Sequence, residues 1–139
     1  MAKNKMTEAE LRDRITLAPY HQWLGVDLVE MTEDGIKLVI PWREEFVVHP
    51  KIGYTHGGIL ATIIDMAADY ALAAKLGGPI PTIDLRVDYH RPALQGALTA
   101  EARVIKLGRT FSTAEASVYD SDGALLASGR GVYHSQPNL

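Results

Sequence analysis

Residues 53–76 read GYTHGGILATIIDMAADYALAAKL, and the rest of the chain is arranged around them. A glycine-rich turn carrying His56 opens directly into an apolar, alanine-rich run of helical length. The run ends at Gly77-Gly78-Pro79, a strong stop signal. On a helical wheel centred on Asp65, Ala61, Ala68, Asp69 and Leu72 fall on its side. Leu60, Ile63, Ala67, Tyr70, Ala71 and Ala74 spread over the other. Both faces are therefore largely apolar, as in a helix enclosed by the rest of its fold. An acid in that setting must be paired, neutralised or put to use. The helix start offers free backbone N–H groups and the positive end of the dipole, kept open by Gly57 and Gly58. The combination predicts a place where negative charge develops beside a carboxylate.

Before this stretch, Thr7 and Glu10 have the spacing of a capping box. Leu11, Ile15 and Ala18 then recur at helical spacing up to Pro19, giving a short helix in an N-terminal segment of residues 1–20. PYHQWLGVDLVEMTEDGIKLVIPW (19–42) reads as two strands around Glu33-Asp34-Gly35, and residues 43–55 read as a loop broken by Pro50 and Gly53. After the central helix, set at 56–76, the period switches to two. Ile83, Leu85, Val87 and Tyr89 face one way, and Thr82, Asp84, Arg86 and Asp88 the other. Leu98 to Val104 and Ser112 to Tyr119 give two more strands. A last strand runs from Leu125 to His134, with a bend or bulge expected at Gly129 and Gly131. Consecutive strands joined by tight turns predict an antiparallel sheet with the helices on one face, an α+β fold. A strongly curved sheet around one apolar helix satisfies that helix best. No linker divides the chain, so residues 1–139 are read as one domain.

A 139-residue chain that is 47% hydrophobic is long enough for one well-buried core. Its net charge of −3, with scattered basic residues, gives no electrostatic case for nucleic acid or an anionic membrane. There is no cysteine, which excludes disulfides, thiolate catalysis and thiolate metal sites. The five histidines lack the spacing of a metal site. The charged first residues lack the apolar core of a signal peptide, and no run reaches membrane-spanning length. A cytoplasmic protein is the expectation.

HGGILATIIDMAADYA (56–71), followed by TIDLRVDYHRPALQGALTAEARVIKLGRTFSTAEASVYDSDGALLASGRG (82–131), closely resembles the hotdog-fold acyl-CoA thioesterases of the phenylacetate-degradation (PaaI-like) type. The specific elements are HGG with an acid nine residues after its His, then T-x-D-L, R-P-A and a G-R turn. The resemblance covers the chain from about Trp23 onward. It implies a homodimer with two sheets joined edge to edge, often a dimer of dimers, and active sites lying between subunits. It makes Asp65 the catalytic carboxylate and the Gly57 N–H of the other chain the oxyanion donor, with Gly58 beside it in the substrate site. It gives Thr82 a part in placing the attacking water, and it has His56 shape the turn and contact the substrate carbonyl. Family members often carry an Asn or Gln in the loop before HGG. Here that loop, His49 to Thr55, has neither, and His49 is expected to take over the task. Arg109 ranks first among residues for the coenzyme A phosphates, with Lys106 across Gly108 and Arg91 behind it. The implied activity is hydrolysis of an aryl- or medium-chain acyl-CoA. No cofactor is implied beyond the coenzyme A of the substrate, and the alternative is a non-catalytic acyl-CoA carrier or sensor.

The chemistry is coherent on its own terms. Thioester hydrolysis passes through a tetrahedral oxyanion that N–H donors at a helix start can stabilise. Asp65 can act as general base toward water or as nucleophile through an anhydride, and both routes stand. Asp69 reads as structural, paired with a basic residue or placed at a subunit interface. Thr82 reads equally well as an ordinary strand threonine. Arg86, between Asp84 and Asp88, reads as one member of outward ion pairs.

Overall fold

Small inward residues on the middle strands set how closely helix and sheet approach. The computed structural model describes residues 2–137. Its elements are α1 (Glu8–Leu17), α2 (Pro19–Leu24), β1 (Asp27–Met31), β2 (Gly35–Ile40), β3 (Val47–His49), β4 (Ile52–Thr55) and α3 (Gly57–Leu76). They continue with β5 (Thr82–Tyr89), β6 (Leu98–Lys106), β7 (Phe111–Tyr119) and β8 (Leu125–His134). Six strands form one antiparallel sheet in the order β1-β2-β6-β7-β8-β5, and β3 and β4 form a separate hairpin. Ala100 and Ala102 of β6 and Ala114 and Ala116 of β7 are buried beneath α3, whose Ile63, Ile64, Ala67, Ala68 and Leu72 fill the core. Each fully buried Ile or Leu contributes about 1.5–3 kcal/mol. This is the expected α+β hotdog arrangement, a curved sheet around one central helix.

Both ends of α3 are closed as its sequence demands. Gly77 takes the left-handed conformation (φ 96°) as C-cap and returns its N–H to Ala73. The N–H groups of Lys5 and Met6 donate to the Ala74 carbonyl, and the buried Lys75 ammonium donates to the Ala2 carbonyl. The N-terminal strand of chain thereby satisfies acceptors and places a cation at the negative helix end.

Four readings need correction. Thr7 does cap α1, accepting from the Glu10 N–H at 3.1 Å, but Pro19 opens a second helix as well as ending the first. Proline is preorganised for the first helical position, so the helical segment extends to Leu24 and not 20. Residues 43–55 are not a simple loop: Glu44–Phe46 form a 3₁₀ turn, and β3 and β4 pair after it. Gly129 and Gly131 make no bulge, because the register with β5 and β7 runs unbroken through both. The irregularity of β8 lies instead at Leu126, skipped between the Ala127 and Leu125 pairs with β7. β5 has a bulge where Thr82 pairs with Tyr133 and Asp84 with Val132, leaving Ile83 as the extra residue. Thr82 is thereby turned from the outward set to the face of Tyr133 and the core. The outward ion pair is present, with Arg86 Nε 3.6 Å from Asp88 Oδ2.

Candidate active site

The helix start is built by His56. Its backbone is extended (φ −57°, ψ 135°) and its Nδ1 accepts the Gly58 N–H at 3.2 Å, as an N-cap side chain should. An accepting Nδ1 puts the proton of the neutral ring on Nε2, which leaves an outward-facing donor. The His56 N–H donates to Phe46 O at 2.7 Å, and its carbonyl accepts from Ile59 at 3.0 Å. With Gly58 capped, the Gly57 N–H is left without a hydrogen-bond partner among the described residues. Tyr89 closes the other side, donating from its hydroxyl to the Gly57 carbonyl at 2.8 Å. A Cβ at position 57 would lie 3.3 Å from the Tyr89 ring, so glycine keeps this corner open.

Two turns along the same helix, Asp65 is half-buried and in no ion pair among the described residues. Thr82 Oγ1 donates to Asp65 Oδ1 at 3.0 Å, which the β5 bulge makes possible. The Tyr133 hydroxyl donates to the same oxygen at 2.9 Å and lies 3.1 Å from the Asp65 carbonyl. Oδ2 accepts no hydrogen bond among the described residues. Gly58, Thr62, Asp65 and Asp69 follow one another along a single stripe of α3.

Asp69 carries no basic partner among the described residues, contrary to one of the two structural readings. Its Oδ1 accepts the Ile80 N–H at 3.0 Å. Burial, opposed by that hydrogen bond and reinforced by the charge of Asp65, raises its pKa from 3.8 to about 7.

The remaining expected residues are distributed over the two ends of the sheet. His49 lies at the exposed tip of the β3–β4 hairpin, with Nδ1 taken up by the Lys51 N–H at 3.0 Å, and no contact joins it to Asp65. Lys106, Gly108 and Arg109 form the β6–β7 turn, beside Ser112, which pairs with Tyr133. Gly108 is held there by Ser112 and Ser135, and a Cβ on it would strike the Phe111 carbonyl at 2.0 Å. This turn is at the Asp65 end. Arg91 follows β5 at the opposite, Gly57 end, where its N–H donates to Leu126 O. The three cations are exposed and in no ion pair among the described residues. The described residues hold no metal-binding cluster.

A match to the thioesterase superfamily covers residues 52–127, more than half of the chain. The chain belongs to that superfamily. A solved thioesterase-superfamily structure is 51% identical with a TM-score of 0.87, covering 89% of this chain and 94% of that one. A candidate esterase of Halobacterium salinarum is 38% identical over 122 residues, 80% of either chain. Mouse acyl-coenzyme A thioesterase 13 is 31% identical over 101 residues, 70% of this chain and 72% of its own. In this superfamily member Gly57, Asp65 and Thr82 lie inside the matched segment, and Tyr133 lies beyond it.

Tyr133 was not among the residues expected from the sequence; Gly131 gives its ring room, and Gly129 lets β8 pass close to β5 and α3. A Cβ on Gly131 would fall 2.4 Å from the Tyr133 ring, and one on Gly129 would fall 2.9 Å from Ile64 Cγ2. The ring lies back over Gly131 beneath α3. Gly131→Ala is therefore expected to displace Tyr133 and to destabilise the fold by about 1–3 kcal/mol, measured by thermal unfolding. An unchanged melting temperature would show that the ring does not need the space.

Proposed function

We propose that this chain is an acyl-CoA thioesterase that works as a dimer, hydrolysing an aryl- or medium-chain acyl-CoA. Asp65 of one protomer and the Gly57 N–H of its partner serve one site. The observation that carries this reading is a carboxylate with one oxygen free and a helix-start N–H without a partner among the described residues, on one helix of a thioesterase-superfamily chain. They are eight positions apart, about 12 Å along the axis. A base and an oxyanion donor must both reach one thioester group within hydrogen-bond range, so a second copy has to complete the site.

The edge of the sheet supports that copy. β5 ends the sheet unpaired on one side, with Ile83 55% and Tyr89 54% exposed. An open apolar edge is a template for another strand. Tyr89 bonds Gly57 at one end of β5, and Thr82 bonds Asp65 at the other. Antiparallel pairing of two such edges about a two-fold axis sets each chain's Gly57 end beside its partner's Asp65 end. The same pairing draws Arg91 of one chain and Arg109 of the other toward one cleft, both available for the phosphates of coenzyme A.

In the reaction, water oxygen bonds to the thioester carbon while Asp65 takes its proton, or Asp65 attacks first and water opens the anhydride. The oxyanion meets the Gly57 N–H and the His56 Nε2–H. In the first route the C–S bond then breaks and the proton held by Asp65 goes to the leaving sulfur. In the second the C–S bond breaks as the anhydride forms, and the water that opens the anhydride supplies the proton to the thiolate. His49 orients the water from the hairpin of a neighbouring chain. Thiol release from a panel of acyl-CoAs, followed with a thiol reagent, tests the proposal. Turnover supports it; acyl-CoA binding with no thiol released would make the protein a carrier or sensor.

A further inference from the structure

Two hydroxyls converge on one oxygen of Asp65, and they arrive by different routes. Thr82 comes from the bulge of an exposed edge strand. Tyr133 comes from the buried face of β8, its ring lying in the space left by Gly131. A fully buried tyrosine hydroxyl needs a partner, and this one has the Asp65 carboxylate at 2.9 Å. We infer, on the reading of Asp65 as the reacting carboxylate, that Tyr133 is the positioning residue that fixes its side chain. With Thr82, Tyr133 occupies Oδ1 and leaves Oδ2 as the oxygen that meets water or the thioester.

The physical reasons are separable. A half-buried aspartate on a helix has more than one staggered rotamer available, and two donors from neighbouring strands select one of them. A donor to an ionised oxygen also favours the anion over the acid. Tyr133 can serve only as donor, because burial, then the charge of Asp65, pushes its phenol pKa well above the usual 10.0. It neither accepts the water's proton nor supplies one to sulfur. The single proton of Thr82 is likewise directed at Oδ1, so toward the attacking water Thr82 can act only as an acceptor.

Tyr133→Phe tests this with little change of volume. Its kcat is expected to fall about ten- to a hundredfold with KM within about twofold, the signature of lost positioning rather than lost binding. The acid limb of its kcat–pH profile should move to higher pH, since one donor to the carboxylate is gone. A readout independent of turnover is the NMR coupling across the Asp65 Cα–Cβ bond, which should show rotamer averaging in the variant and one rotamer in the wild type. Wild-type kcat and pH profile in the variant, or unchanged Asp65 couplings, would overturn the inference. So would a loss of kcat with an unmoved acid limb, since that marks general loosening. Should the wild type release no thiol from any acyl-CoA, the proposed function fails, while the couplings still decide the place of Tyr133.

Discussion

Asp65→Asn and Gly57→Pro proteins are each expected to be nearly inactive, and an equal mixture refolded together should recover about a quarter of wild-type thiol release. Asparagine keeps the shape of Asp65 but can neither accept a proton nor attack carbon, a loss of about three orders of magnitude. Proline removes the Gly57 N–H, which should cost on the order of a hundred- to a thousandfold as loss of an oxyanion donor. Position 57 suits it, being the first helical residue, and His56 already has the extended backbone a residue before proline adopts. The added carbons press on the exposed ring of Tyr89, which has room to yield. Random pairing makes half the dimers mixed, and in each mixed dimer one site holds both defects and the other neither. If base and oxyanion donor served a site within one chain, the mixture would contain no intact site. Mixed dimers confirmed by mass spectrometry that release no thiol would therefore refute the shared site.

The centre of the fold is legible in the sequence because its signals are local and redundant. Glycines at 57 and 58, the stop at Gly77 and the unbroken run 59–76 between them specify α3, and Asp65 stands out against its apolar neighbours. What the sequence hides is set by tertiary structure. TIDLRVDY alternates without interruption, so nothing in it marks the bulge that turns Thr82 inward; only the register with β8 reveals it. Tyr133 looks like any strand tyrosine, and its partner lies 68 residues earlier. The one available signal is the Gly-x-Gly-x-Tyr alternation of 129–133, which empties two inward positions ahead of a large ring. β3 and β4, three and four residues long, are too short for periodicity to register. Pro19 reads as a stop in the sequence because the six residues of α2 leave no periodic trace of a new start.

Asp69→Asn is expected to raise the melting temperature at pH 8 by on the order of 10 °C and to leave it nearly unchanged at pH 4. The folded chain holds the Asp69 proton up to about pH 7, against 3.8 for an ordinary aspartate, chiefly because the site is buried. The groups acting on it are the Ile80 N–H, which favours the anion, and Asp65 one turn away, which opposes it. A raised folded pKa means that the folded state binds the proton more tightly than the unfolded one. The associated stability is complete below about pH 4 and is lost as pH rises through about 7. Three pH units correspond to roughly 4 kcal/mol, fully expressed only above the folded pKa. Asparagine is neutral at every pH and its side-chain oxygen still accepts from Ile80, so the variant escapes this loss. Equal melting of the two proteins at pH 8 would show that a cation from the second copy reaches Asp69 in the dimer, returning it to the interface role that its sequence position also allowed.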